Sequence, residues 1–234
     1  MNNVFISGEK IDLCVPQEED FDQWASWFND QAITKFLDQG KYPNTVDQQR
    51  TFYRKAIESG RFIALIKTKD KSLLGVISLS EINFEKQSSQ IALVCPVKSK
   101  QAIYAPLEAM ALCTQHAIKR IGVTYIWAGQ AYPGLLKWVK NLELIGYKTD
   151  GVFPREFKHG LTVSDAIRTS ITKDRFLSLT IQRSGNLWPG EEKVKRMISA
   201  NRLNKSLAEQ IDESIKNLHA RHDRMMDRIE IDAQ

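Results

Sequence analysis

Ile11, Leu13 and Val15 alternate with Asp12 and Cys14, which predicts a half-buried strand closed by Pro16. Phe21, Trp24, Ala25 and Phe28 then recur at helical spacing as far as the turn-prone pair Asn29-Asp30. A second helical pattern, with Val46, Phe52, Tyr53, Ala56 and Ile57, follows the turn Tyr42-Pro43-Asn44-Thr45. Thr45 is suited to its N-cap, where a hydroxyl accepts from a free first-turn amide. Three strands are predicted over residues 61–67, 73–82 and 90–95, joined by polar turns at Lys69-Asp70-Lys71 and at 85–88, so neighbours should pair antiparallel. The third is apolar on both faces, Ile91 to Cys95, as a central buried strand would be.

Leu107, Met110, Ala111, Thr114, Ala117, Ile118 and Ile121 step by threes and fours and predict a long amphipathic helix, with Pro106 at its first position and Gly122 at its end. A strand over 125–129 follows directly. Strand, helix and strand at this spacing make a parallel crossover. A helix over 135–145 ends at Gly146, and strands over 147–153 and 163–172 complete the set. The order β-α-α-β-β-β-α-β-α-β-β has hairpins at its centre, which disfavours a doubly wound nucleotide fold. The fold class is therefore α/β in the mixed α+β sense: a central mixed sheet flanked by helices.

Past Phe176 the character changes. Residues 184–190 read as a turn-rich bridge in which Trp188 anchors, and a long polar helix follows. Ile211, Ile215, Leu218, His222, Met225 and Ile229 form a seam of period 3.5, read either as docking on the chain's own domain or as self-association. The expected organisation is a domain over 1–178 and a bridge plus C-terminal helical extension over 179–234, with a homodimer formed through the extension.

Composition narrows the class. The net charge is +5, and residues 191–234 carry nine basic and nine acidic side chains, so the excess lies in 1–190. That suits an anionic small ligand and leaves nucleic acid as a less favoured partner. Cys14, Cys95 and Cys113 are odd in number and widely spaced, which argues against a disulfide framework or a zinc site. The opening residues lack the pattern of a signal peptide, and no run has the ~18 apolar residues that a membrane span requires, so a cytoplasmic protein without membrane contact is expected.

On four stretches the chain resembles the GNAT superfamily of acyl-CoA-dependent N-acyltransferases. They are 8–15 leading into 20–30, residues 89–117, Leu144-Ile145-Gly146-Tyr147, and 170–176; together the resemblance spans roughly 8–178. Trp27-Phe28-Asn29-Asp30 and Tyr42-Pro43-Asn44-Thr45 are similar to enzymes that acetylate amino-sugar nucleotides, and to those that acetylate protein N-termini. The resemblance implies acetyl-CoA as co-substrate, a GNAT-like sheet and a small-molecule amine acceptor. It implies a thioester contact at Leu93, Val94 and Cys95, and a pyrophosphate site over Lys98, Lys100, Gln101, Ala102, Ile103, Tyr104 and Ala105. The acceptor would lie near Trp27, Asn29, Tyr42 and Asn44.

Three positions depart from the family pattern. Ile103 stands where the phosphate turn has its first glycine, and bulk at Ile103 and Tyr104 would block close approach if that turn needs positive φ. Gln90 stands where a Glu commonly opens the central strand, and about Leu142 a tyrosine is usual. Glu81 is then the candidate base and Tyr104 the candidate proton donor to the leaving thiolate. Trp24, Trp27, Trp127 and Trp138 read most simply as core aromatics. The function expected is N-acetyl transfer from acetyl-CoA to a primary amine, with an amino-sugar nucleotide as the finer acceptor. The alternatives are a catalytically decayed GNAT-fold binding module, and a GNAT-like enzyme acting on nucleic acid or a protein N-terminus.

Overall fold

Eight strands of the computed structural model, which describes residues 3–37, 40–201, 213–214, 216–217 and 219–220, form one mixed sheet. They are β1 (Val4–Ser7), β2 (Ile11–Cys14), β3 (Phe62–Thr68), β4 (Leu73–Asn83), β5 (Ser88–Val94), β6 (Tyr125–Ala131), β7 (Lys148–His159) and β8 (Thr162–Thr172). Their order is β1-β2-β3-β4-β5-β6-β8-β7, antiparallel throughout except for the parallel pair β5–β6. The helices are α1 (Phe21–Asn29), α2 (Gln31–Thr34), α3 (Val46–Glu58), α4 (Ala105–His116), α5 (Leu136–Glu143), α6 (Lys173–Gln182) and α7 (Glu191–Asn201). The mixed sheet and the parallel crossover are those expected from the pattern of the chain. Contacts divide the chain into two units, Met1–Lys193 and Val194–Gln234. The six seam residues, Ile211 to Ile229, lie outside the described residues.

Local chemistry accounts for several boundaries. Thr45 caps α3 in a reciprocal box with Gln48: its hydroxyl accepts from the Gln48 amide at 3.2 Å, and the Gln48 side chain accepts from the Thr45 amide at 2.8 Å. Phe21, Trp24 and Trp27 of α1 are buried in a cluster with Ile63 and Leu65 of β3. Beside that cluster Lys67 and Asp20 form a buried ion pair at 2.6 Å, which is costly to break from one side because the survivor is stranded out of water.

Two expectations change. The helix expected to be amphipathic is instead buried on nearly every side, from Leu107 through Thr114: the β1–β2 turn lies on Glu108 and Leu112, and the 184–190 bridge meets its C-terminal end. Leu187 donates its amide to Gln115 Oε1 at 2.9 Å, and Lys119 Nζ donates to the Gly185 carbonyl at 2.8 Å. Trp188 Nε1 donates to Glu9 Oε2 at 2.8 Å and so pins the bridge to the β1–β2 turn. The helix then widens into a π turn, Ala117–Ile121, and stops at Gly122 with φ +88.

The second change concerns β5, which is central in the sheet yet not fully buried. Ile91 is buried, but Ala92 is exposed and Leu93 to Cys95 are half-buried. The cause is the geometry of the neighbouring strand.

Candidate active site

β5 and β6 pair over only three positions, Ser88 with Tyr125, Ser89 with Ile126 and Gln90 with Trp127. Past Gln90 each strand keeps its outer neighbour, β4 or β8, and the two part from one another. The edge of β5 that faces β6 has no strand partner there, and its backbone groups require another partner. A cavity of about 620 Å³ fills the wedge, with Leu93, Val94 and Cys95 of β5, Gly129 of β6, Trp138 of α5 and Lys98 on its walls. Three of the residues expected at the thioester therefore line an open cleft. Burial pushes the Cys95 thiol up to about 12, so it stays protonated near neutral pH and is a poor nucleophile.

The loop between β5 and α4 is more mixed. Lys98 reaches the cleft, whereas Lys100, Gln101, Ala102, Ile103, Tyr104 and Ala105 do not line it. Ala102 and Ala105 are buried, and Ile103 points to solvent at 64% exposure, so neither bulky side chain plugs the wedge. No residue from 96 to 105 has a positive φ, and the absent glycine therefore strains nothing. The mouth of α4 is nonetheless largely closed to an anion. The Ala105 amide donates to the Ala102 carbonyl at 3.1 Å, those of Leu107 and Glu108 donate to the Tyr104 carbonyl at 3.0 Å, and Pro106 has no N–H. Lys98 and Lys100 supply the positive charge beside it.

A second cavity, about 480 Å³, shares Gln90, Ala92, Gly129 and Gln130 with the first. Glu81 lies on this cavity, exposed, at a bulge in β4 where its φ is +52 and the register with β5 shifts. The bulge thus places a strand carboxylate on the second cavity. The Gln90 carbonyl accepts from Ser80 Oγ at 3.2 Å and the Gln130 carbonyl from Thr169 Oγ1 at 3.3 Å, so the amide nitrogens are the ends these bonds do not use.

Charged and aromatic residues that the sequence reading did not select complete this second cavity: Arg61, Glu156, Arg168, Trp127 and Phe153. Trp127 and Trp138 thus face cavities rather than forming core, whereas Trp24 and Trp27 are core. Their signal in the sequence was faint, because a half-buried aromatic on a strand and a core aromatic have the same spacing.

The residues expected around the acceptor are elsewhere. Asn29 and Asn44 bind each other: Asn29 Nδ2 donates to the Asn44 carbonyl, and the Asn44 amide donates to Asn29 Oδ1, both at 2.7 Å. Tyr42 and Asn44 line a third cavity of about 440 Å³ with Phe28 and Phe52, which shares no residue with the other two. Tyr104 caps α4 and lines neither of the two joined cavities.

A model of the acetyltransferase (GNAT) domain matches residues 11–131. Among solved structures, the chain resembles a spermidine N-acetyltransferase from Vibrio cholerae in complex with CoA and spermine, with 18% identity, a TM-score of 0.65, and coverage of 73% of this chain and 99% of that one. A GNAT-family acetyltransferase from Bacillus anthracis gives 20% identity, a TM-score of 0.61 and coverage of 72% and 98%. No curated protein sequence matches the chain.

Proposed function

The chain belongs to the GNAT acetyltransferase family, and from that premise we propose that the two joined cavities are its donor and acceptor sites. The enzyme is an acyl-CoA-dependent N-acetyltransferase that uses acetyl-CoA as co-substrate and an amine as acceptor. The observation that carries the assignment is the wedge past Gln90, where the edge of β5 opens onto a cavity that meets a carboxylate-bearing one.

In this reading the pantetheine arm lies in the wedge and takes the place of the missing strand along β5. A backbone amide at Leu93 to Cys95 polarises the thioester carbonyl. Lys98 and Lys100 hold the pyrophosphate by charge, since the first-turn amides of α4 are already engaged. The amine enters through the second cavity and must lose a proton before it attacks, and Glu81 accepts that proton directly or through one water. The nitrogen then bonds to the acetyl carbon, the C–S bond breaks, and the CoA thiolate takes a proton. Among the described residues no tyrosine lines the donor cavity, so the proton comes from water or from the nitrogen, which turns cationic once it has bonded to the acetyl carbon. Direct transfer fits better than an acetyl-enzyme, because Cys95 is held protonated.

The finer acceptor reading, an amino-sugar nucleotide, rests on the tetrapeptides at 27–30 and 42–45. Trp27 lies in the core, and Phe28, Tyr42, Pro43 and Asn44 line the separate cavity, so the second cavity suits the acceptor better. Calorimetry with acetyl-CoA tests the donor half. One saturable site per chain is expected, and no heat or thermal shift at millimolar acetyl-CoA would overturn the assignment.

A further inference from the structure

The acceptor cavity presents two guanidinium groups that lack an anion. Arg168 on β8 stands opposite Gly129 of β6 and Gly151 of β7, and a Cβ at either glycine would meet nothing within 4 Å. Trp127 and Phe153 lie two residues along those same strands, on the same face as the glycines. Their rings close on the Arg168 guanidinium from 4.5 and 4.1 Å. Two aromatic faces fix the plane of a guanidinium without using its N–H edge, which is the part that forks onto an oxyanion.

Arg61 donates from Nη2 to Ser78 Oγ at 3.0 Å, and its buried Nε has no partner. Burial pulls the Arg61 pKa down from its ordinary value, as expected for a desolvated cation without a counter-charge. Among the described residues the ion pairs take in Lys10, Arg50, Lys67 and Lys69, and neither Arg61 nor Arg168. The same cavity carries Glu81 and Glu156. Its lining is therefore dipolar, with two fixed cations and two carboxylates.

We propose that Arg168, with Arg61, binds a carboxylate or phosphate carried by the amine acceptor, so that the substrate is a small amine with an anionic group rather than a polyamine. This rests on the acetyl-transfer reading above and adds the acceptor's class to it. A polyamine would meet the two carboxylates but leave both guanidinium groups without an anion and add like charge beside them, which selects against it. An amine with an acidic group meets both signs of the lining, with its ammonium toward the carboxylates and its acid on the arginines. A volume of about 480 Å³ admits a molecule of amino-acid or phosphorylated amino-sugar size.

Calorimetry on the enzyme–CoA complex tests this with two matched pairs, β-alanine against β-alaninamide and glucosamine phosphate against glucosamine, together with spermidine. The acidic member of one pair is expected to bind about tenfold or more tighter than its neutral partner, the scale of one charge-assisted hydrogen bond. The pair that responds tells carboxylate from phosphate. Arg168→Met should erase the difference and leave CoA affinity unchanged, and Arg61→Gln gives the same readout should Arg168→Met not fold. Equal binding within both pairs, or tightest binding by spermidine, overturns this proposal alone. A wild-type enzyme that does not bind CoA overturns the acetyl-transfer reading and this proposal with it.

Discussion

The donor and acceptor cavities share a wall but are built from different materials. The donor cleft is made by backbone: two strands that stop pairing after Gln90 and leave a strand edge open. Side chains contribute little there beyond apolar walls and Lys98. The acceptor cavity depends on side chains, with Arg61, Arg168, Glu81 and Glu156 set among aromatic rings. The difference teaches that a donor site of this kind tolerates sequence change. Ile103 in place of a glycine leaves the wedge open, because what binds there is hydrogen-bonding geometry common to every residue type. The acceptor cavity has no such freedom, since each charge belongs to one residue.

Three variants sharpen or break that contrast. Glu81→Gln should have the largest effect, lowering kcat about a hundredfold, within the usual range for a lost general base, while the Kd for acetyl-CoA is unchanged. A matched loss of acetyl-CoA binding would show that the cavities are not separable. Replacing Lys98 and Lys100 together by alanine comes next. It should weaken acetyl-CoA binding by about tenfold at low salt, less at high salt, and leave the KM for the amine unchanged. A salt-insensitive affinity in the wild type would mean that backbone amides hold the diphosphate after all.

The third lies outside both cavities and serves as their control. Glu108 on α4 is 1% exposed, and its carboxylate accepts from the amides of Glu9 and Lys10 in the β1–β2 turn. Burial pushes its pKa from 4.5 up to about 7, partly opposed by those two N–H groups. The native state thus prefers the protonated form. The associated stabilisation is complete below about pH 4.5 and is lost as pH rises through 7. Thermal unfolding followed from pH 5 to 8 should show a fall in Tm that Glu108→Gln flattens, with kcat unaltered. A variant with the same slope as the wild type would assign the pH dependence elsewhere.

Much of the fold was legible because it follows from local patterns. Alternation marked β2, apolar runs between polar turns marked β3 to β5, the capping residue Thr45 marked α3, and the strand–helix–strand spacing marked the parallel crossover. α6 was not marked, since Phe176, Leu179 and Thr180 make only a narrow buried stripe next to a strand. The wide burial of α4 also escaped, because the β1–β2 turn and the 184–190 bridge that lie on it are distant in the chain and leave no trace in the helix's own periodicity.

The site divides along the same line. Leu93 to Cys95, Lys98 and Glu81, which line the proposed sites, were reachable from order and resemblance, since each lies on a predicted strand or just past its end. Arg168 was not reachable. Its environment comes from Gly129 and Gly151 on two different strands, which only sheet register sets opposite it. Tyr42 and Asn44 line a separate cavity, and adjacency along the chain to a helical pair says nothing about which cavity that pair encloses.

By itself, then, the sequence determined the order of most strands and helices and the parallel crossover between two of them, because hydrophobic period and turn chemistry act over a few neighbouring residues. The tertiary structure alone decided that these two strands part after Gln90 and which charges line the second cavity. Those charges stand on β4, β7, β8 and just before β3, brought together by backbone hydrogen bonds that are blind to the side chains they juxtapose.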